Sequence, residues 1–429
     1  MRDRLTAYLN ILVRQDYLPI FVLILSVQGS VLISQAVSVL LVSPGLLGSI
    51  RTFESVTSVL VLLAGFGAPA LAVREMAAYE TPDERAAALR DLMLLPAVGV
   101  GVIGIAIVLA LATGWSWIQP LKAILPTALL LLLLVNLSRL MAAVAQGLLI
   151  AGRVYLFAIP GALLSAALHV IGAWHGSVGS WALGRVAGEA ILLTLLLAGV
   201  WRQLPGLNIR ESLHARRFLR GMGRATLVNS GLIVRMTADA APILLMGVTI
   251  AWGLHGAVDR DSMRLNIGYY GIANLVLTFG MLPLSVIGQQ AVPRLTLAYR
   301  QGGFAAARRS YFDRVVLLST CAGAAIAAVA LLAHFTLDIP SAPALLPAAV
   351  LMIALPIKAL ASALGVTLLA SGRFATPIWV NGVELIVIVL AFAIAPYPSS
   401  VWTAVIATIV GSMVSLAGLQ LSARMGSGS

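Results

Sequence analysis

Charge is what this sequence has least of. Only 10% of its 429 residues are Asp, Glu, Lys or Arg, while 60% are hydrophobic and the mean hydropathy is +1.00. Soluble domains carry about 25% charged residues. So few charges cannot cover a water-facing surface, which excludes a soluble enzyme and places the chain in a bilayer. Lysine is almost missing: Lys122 and Lys358 are the only two, and neither lies in a glycine-rich loop. That excludes a P-loop and ATP hydrolysis by this chain. The single cysteine, Cys321, cannot form an intrachain disulfide, and its apolar surroundings predict a small core residue. The five histidines (His169, His175, His214, His255 and His334) have no metal-ligand spacing, so no metal or other cofactor is expected. Connections between apolar runs are too short to house sugar chemistry, and no enzymatic activity is expected.

What is there is a succession of apolar runs. They predict twelve spans, at 17–42, 46–72, 91–112, 122–150, 155–173, 178–201, 222–251, 266–292, 312–336, 344–372, 374–395 and 400–423. The excess of basic residues, +12 overall, would suggest nucleic acid in a soluble protein. Here it encodes topology instead, and no nucleic-acid partner is expected. Twenty arginines, among them Arg14, Arg74, Arg153, Arg224, Arg294 and Arg373, fall on one side of the predicted membrane. The other side holds Lys122, Arg260 and Arg264. The positive-inside rule then puts both termini in the cytoplasm. Trp115, Trp117, Trp174, Trp181, Trp252 and Trp402 cluster near outer span ends and read as an interfacial aromatic belt. Charges at Arg2, Asp3, Arg4, Arg14 and Asp16 interrupt the first stretch, so no cleavable signal peptide is expected. The final Gly-Ser-Gly-Ser looks like a cloning scar.

The two halves repeat at an offset of 220 residues. Arg74, Ala78 and Tyr79 after the second span match Arg294, Ala298 and Tyr299 after the eighth. The stretch 148–153, ending Ala151-Gly152-Arg153, matches 368–373, ending Ser371-Gly372-Arg373, and Gly48 matches Gly268. Six spans per half is an even number, so both halves enter the membrane in one orientation. That predicts a parallel repeat about a pseudo-twofold axis along the membrane normal. The expected organisation is an interfacial N-terminal segment (1–16), an N-lobe (17–201), a cytoplasmic linker (202–221), a C-lobe (222–424) and a tail (425–429).

These features resemble a family. Two six-helix lobes, Gly65-Phe66-Gly67-Ala68 leading to Arg74, the stretch from Ala145-Gln146 to Arg153, and Gly268 to Pro293-Arg294 are similar to the multidrug/oligosaccharidyl-lipid/polysaccharide (MOP) exporter superfamily. Within it the chain resembles the Wzx-type flippases of O-antigen and capsule units. The resemblance implies an all-α membrane protein of two lobes facing a cleft. It also implies a flippase moving polyprenyl-pyrophosphate-linked oligosaccharide to the outer leaflet of a bacterial inner membrane. A polysaccharide polymerase or assembly complex is the implied protein partner. The cation-coupled drug antiporters of the superfamily are the alternative. Those often carry an acidic residue in the first span, where this chain has only Gln28 and Gln35. The loop 79–85 lacks the glycine- and base-rich signature of major facilitators.

Charged residues inside spans are costly, roughly 2.5–3.5 kcal/mol each by insertion scales, and so point to function. Arg51/Glu54, Arg185/Glu189 and Arg235/Asp239 are spaced to share a helix face, with Arg139, Lys358 and Glu384 besides. For Arg185/Glu189, on a helix expected to be peripheral, a self-neutralised structural pair is an equal reading. Otherwise the set predicts a hydrated interior with a slight positive excess. Arginine suits phosphate because its planar fork donates paired, charge-assisted bonds. In the resembled family the first, second, seventh and eighth spans line the cavity. On that basis Arg51 and Arg235 would hold phosphates, with Glu54 and Asp239 as partners or coupling carboxylates. Gln28, Gln35, Asn229, Gln289 and Gln290 would meet sugars, and Arg14, Arg74, Arg224 and Arg294 would line the cytoplasmic mouth.

Overall fold

The computed structural model describes residues 17–78, 81–113, 125–148, 150–202, 215–252 and 260–425, apart from 301, 339, 372, 374, 396 and 398–399. Fourteen α-helices account for nearly all of them: α1 Tyr17–Leu41, α2 Pro44–Gly65, α3 Ala68–Ala78, α4 Pro82–Ala112, α5 Leu125–Gly147, α6 Ala151–Trp174 and α7 Val178–Trp201. The second half holds α8 Ala215–Trp252, α9 Arg260–Arg300, α10 Phe304–Thr336, α11 Leu345–Leu351, α12 Ala354–Ala370, α13 Ala375–Ile394 and α14 Val401–Met425. Among the described residues there is no strand. Among the described residues ten helices are long and apolar enough to cross a membrane, or eleven if α11 and α12, bent by 45°, form one span. The 25-residue α1 lies over the predicted first span. The chain is a multi-pass, all-helical membrane protein, as expected.

Several helices outrun their apolar runs on the arginine-bearing side. α4 starts at Pro82, where a span was expected from 91, and α10 starts at Phe304, where one was expected from 312. Local chemistry sets the first of these. The Thr81 hydroxyl accepts from Glu84 N at 3.3 Å, Pro82 fills the first turn, and Asp83 and Glu84 face the positive end of the helix dipole. Hydropathy marks where lipid ends, whereas backbone hydrogen bonding continues into the interface. The second predicted span is broken at Phe66 and Gly67, which take φ of 45° and 73°. A non-glycine residue in the left-handed region carries strain, and the motif Gly65-Phe66-Gly67-Ala68 is this break between α2 and α3.

The chain divides into two compact units. One joins the described residues up to Leu41 with Leu60–Asn229, and the other joins Val42–Val59 with the described residues from Ser230 onward. Each has its own apolar core. Leu23, Leu71, Met76, Leu140, Val154, Leu192 and Leu196 belong to the first. Met246, Tyr270, Leu277, Leu351, Leu355 and Phe392 belong to the second. Thus α2 belongs to the second unit up to Val59 and to the first from Leu60 onward. The repeat offset is also not constant: α5 and α12 end 223 residues apart, so the 220 register has slipped three residues by the fourth and tenth spans.

Two expectations are corrected. Trp181 is fully buried in the first unit and belongs to no belt, while Trp174 and Trp402 are exposed. Cys321 is exposed on α10, a helix whose most apolar window is only 22% buried, so it faces the lipid side and not a core.

Candidate functional site

Four of the sequence-selected charges come together in the second unit. Arg235 and Asp239 sit one turn apart on α8, Lys358 on α12 and Glu384 on α13. The Arg235/Asp239 pair expected from i,i+4 spacing is not the principal one. Lys358 Nζ donates to Asp239 Oδ1 in a close ion pair, and Arg235 Nη1 donates to the Ser362 hydroxyl at 3.2 Å. An ammonium on a flexible stem from a facing helix can reach the carboxylate directly, whereas Arg235 must fold back along its own helix. Glu384 is hydrogen-bonded by Ser415 on α14 and lies within electrostatic reach of Lys358, Asp239 and Arg235. Asn381, one turn before Glu384, donates to Gly231 O at 3.4 Å and ties α13 to α8. Tyr311 on α10 is within electrostatic reach of Arg235.

Two cations and two carboxylates make this cluster formally neutral. Its capacity for an anion lies in the distribution of partners. The Lys358 and Asp239 side chains are 13% and 35% exposed, so a ligand can reach them. A hydroxyl is a weaker acceptor than a phosphate oxygen, which could displace Ser362 from Arg235 and share Lys358 with Asp239. Asn381, Ser362, Ser415 and Tyr311 add neutral donors and acceptors that the sequence reading missed. Isolated polar residues in apolar helices carry no signal until the fold brings them together.

Arg51 is placed elsewhere in the second unit. Its Nη2 donates to Gly271 O at 2.9 Å, and Glu54 is its nearby counter-charge. Gly271 is the residue 220 positions on, so Arg51 bonds its own repeat counterpart. The same holds a turn earlier, where Gly48 and Gly268 meet. A Cβ on Gly48 would lie 2.4 Å from Arg264 O, and one on Gly268 would lie 2.0 Å from Pro44 O. Only glycine permits this crossing.

The remaining candidates whose side chains are described do not join the cluster. Asn229 donates to Leu62 O at 2.9 Å within the first unit, tying the start of α8 to α2. Gln35 is buried on α1 and Arg139 half-buried on α5. Arg185 and Glu189, expected on a peripheral helix, are buried in the first unit and paired at 3.8 Å. Arg14 and the side chains of Gln28, Arg74, Arg224, Gln289, Gln290 and Arg294 lie outside the described residues. Among the described residues no three His, Cys, Asp or Glu side chains gather to hold a metal.

An all-helical membrane protein with ion pairs buried inside its spans is the class that fold and site define. Its fold is that of the MOP-superfamily transporters. The chain is similar to a multidrug resistance MATE family transporter of the MOP superfamily in its inward-facing conformation, at 12% identity and a TM-score of 0.70 over 91% of this chain and 93% of that one. For an outward-facing transporter of that family the values are 15% and 0.67, over 95% and 93%. A MOP-superfamily transporter from Pyrococcus furiosus, described as having a binding pocket of reverse polarity that suggests a different function, aligns at 14% and 0.63 over 95% and 94%. At these identities the likeness establishes the fold alone. No family model and no curated protein matches the sequence.

Proposed function

We propose that this chain is a flippase of the MOP superfamily. Its substrate is a polyprenyl-pyrophosphate-linked oligosaccharide, an O-antigen or other surface-polysaccharide repeat unit. It moves that substrate from the cytoplasmic to the outer leaflet of a bacterial inner membrane by alternating access. Both termini are cytoplasmic, and a polysaccharide polymerase or assembly complex is its protein partner. The observation that carries this reading is the Arg235–Ser362 bond beside the Lys358–Asp239 pair. It sets two cations at membrane depth, one of them held only by a neutral hydroxyl among the bonds described. That arrangement suits a pyrophosphate, while Asn381, Ser415 and Tyr311 suit hydroxyl-rich sugar.

The test is reconstitution into vesicles with a short-chain polyprenyl-pyrophosphate glycolipid, followed by enzymatic access to the headgroup from one side. Protein-dependent translocation that is lost in folded Arg235→Gln supports the reading. Absence of translocation, together with extrusion of cationic dyes, favours a cation-coupled drug antiporter. That second reading draws on the multidrug transporters sharing the fold and on the carboxylates Asp239 and Glu384.

A further inference from the structure

The ion pair and the hydrogen bond of the candidate site form two rungs between the same two helices. Arg235 on α8 meets Ser362 on α12. Asp239, one turn later on α8, meets Lys358, one turn earlier on α12. Rungs that advance in opposite directions along the two helices make α8 and α12 antiparallel here, with one turn, about 6 Å of rise, between the rungs. The two cations therefore belong to opposite helices and to different rungs. That is a spacing which the outer oxygens of a pyrophosphate can bridge with a hydrogen bond at either end. The rungs differ in what answers the cation. Arg235 has a neutral hydroxyl, whereas Lys358 has a carboxylate.

This difference decides what an arriving phosphate must displace. At Arg235 it replaces a neutral acceptor, which is easily outcompeted by a charged oxygen. At Lys358 it meets a full negative charge already in hydrogen-bond contact. Among the described residues Lys358 pairs with Asp239 alone, while Glu384 is engaged by Ser415. In an empty site the pairing keeps Lys358 from standing uncompensated at membrane depth. In an occupied site the phosphate supplies that compensation and the carboxylate has to withdraw. Withdrawal is open to it, because the Asp239 side chain is the more exposed member, at 35% against 13%, and water can solvate it. Arg185–Glu189 in the first unit is the contrast: its side chains are 6% and 2% exposed, and a separated carboxylate there would be stranded.

We infer that Asp239 is a displaceable counter-anion of this site, competing with the substrate's phosphate for Lys358 and retaking the ammonium to expel it. The inference rests on the flippase reading and adds to it the means of release. Two unopposed cations at membrane depth would hold a pyrophosphate too tightly for turnover, since a transported species must bind well enough to enter and weakly enough to leave. A carboxylate on the facing helix acts as an intramolecular competitor, always present whatever anions the solution holds. The role depends on which cation Asp239 answers. Paired with Arg235 along its own helix, as the i,i+4 spacing suggests, it would leave Lys358 open and could not regulate that seat.

The test is equilibrium binding of a short-chain prenyl pyrophosphate to the full chain in lipid nanodiscs, set beside glycolipid translocation in vesicles. Asp239→Asn should tighten binding about tenfold, the low end for one charge-assisted hydrogen bond, while slowing translocation because the phosphate leaves late. Binding that is unchanged or weakened in Asp239→Asn overturns the inference, as a structural partner or a direct ligand would behave that way. Tighter binding with undiminished translocation overturns the role in release. The tightening must also act through Lys358, so in a Lys358→Gln background Asp239→Asn should shift binding less than about twofold. A full tightening in that background reports general charge and overturns the competition. Should Asp239→Asn not fold, Ser362→Asp sets the same competitor on the other rung and should weaken pyrophosphate binding about tenfold. Unchanged binding in that variant likewise overturns the inference. A wild-type chain that binds no prenyl pyrophosphate overturns the flippase reading too, whereas failure of the Asp239 variants alone leaves that reading standing.

Discussion

At the scale of residues, helical spacing assigned one pairing that the fold changed. Arg235 and Asp239 share a face of α8, yet Asp239 is taken by Lys358 from α12. Breaking such a pair by removing one member leaves a charge uncompensated. Because Asp239 retains solvent access, Asp239→Asn should cost about 1–2 kcal/mol, below the figure for fully buried pairs. Changing both, Asp239→Leu with Lys358→Met, should recover most of that. Thermal unfolding in detergent checks the comparison, and a double variant weaker than either single one would show that the pair is not the source. Arg235→Gln should leave stability nearly unchanged, since Ser362 is a neutral partner, while reducing glycolipid translocation at least tenfold in vesicles. The charged members of this cluster were legible as costly residues in apolar segments. Ser362, Asn381, Ser415 and Tyr311 were not, because a single hydroxyl or amide in an apolar helix is ordinary until a charge from another helix is set beside it.

At the scale of elements, apolar runs located the described spans but neither their ends nor their breaks, since the second divides into α2 and α3 and the tenth into α11 and α12. Hydropathy reports solvent, and the arginine-bearing starts of α4 and α10 lie beyond the lipid while remaining helical. Close helix approach was likewise only partly legible. The match of Gly48 with Gly268 was visible as a repeat, whereas their meeting was not. Gly268→Ala drives a Cβ into the Pro44 carbonyl and should cost about 1–3 kcal/mol, the range for overpacking. Gly365→Ala on α12 meets nothing within 4 Å and should be neutral or gain up to about 1 kcal/mol of helix propensity. Paired melting curves test this, and equal losses at both positions would refute the packing argument. Cys321, on the lipid side of α10, should resist a membrane-impermeant thiol reagent and react with an apolar maleimide.

At the scale of the whole molecule, charge asymmetry and fold speak to energetics. With a negative cytoplasm, outward movement of an anion gains about 2.3 kcal/mol per charge at 100 mV, and roughly 4.6 for two uncompensated charges. Translocation in vesicles should therefore slow when potassium and valinomycin collapse an inside-negative potential. A rate indifferent to voltage would mean that co-moving protons neutralise the substrate or that movement is passive facilitation.

The sequence alone determined that this chain lies in a membrane, where its helices run and which charges are costly. Those follow from transfer free energies and helical periodicity, which are local properties. Only the tertiary structure decided that Asp239 answers Lys358, that Arg235 turns to Ser362, and that Arg51 bonds its own repeat counterpart. Each of those depends on contacts between residues far apart in the chain, whose distances no local pattern encodes.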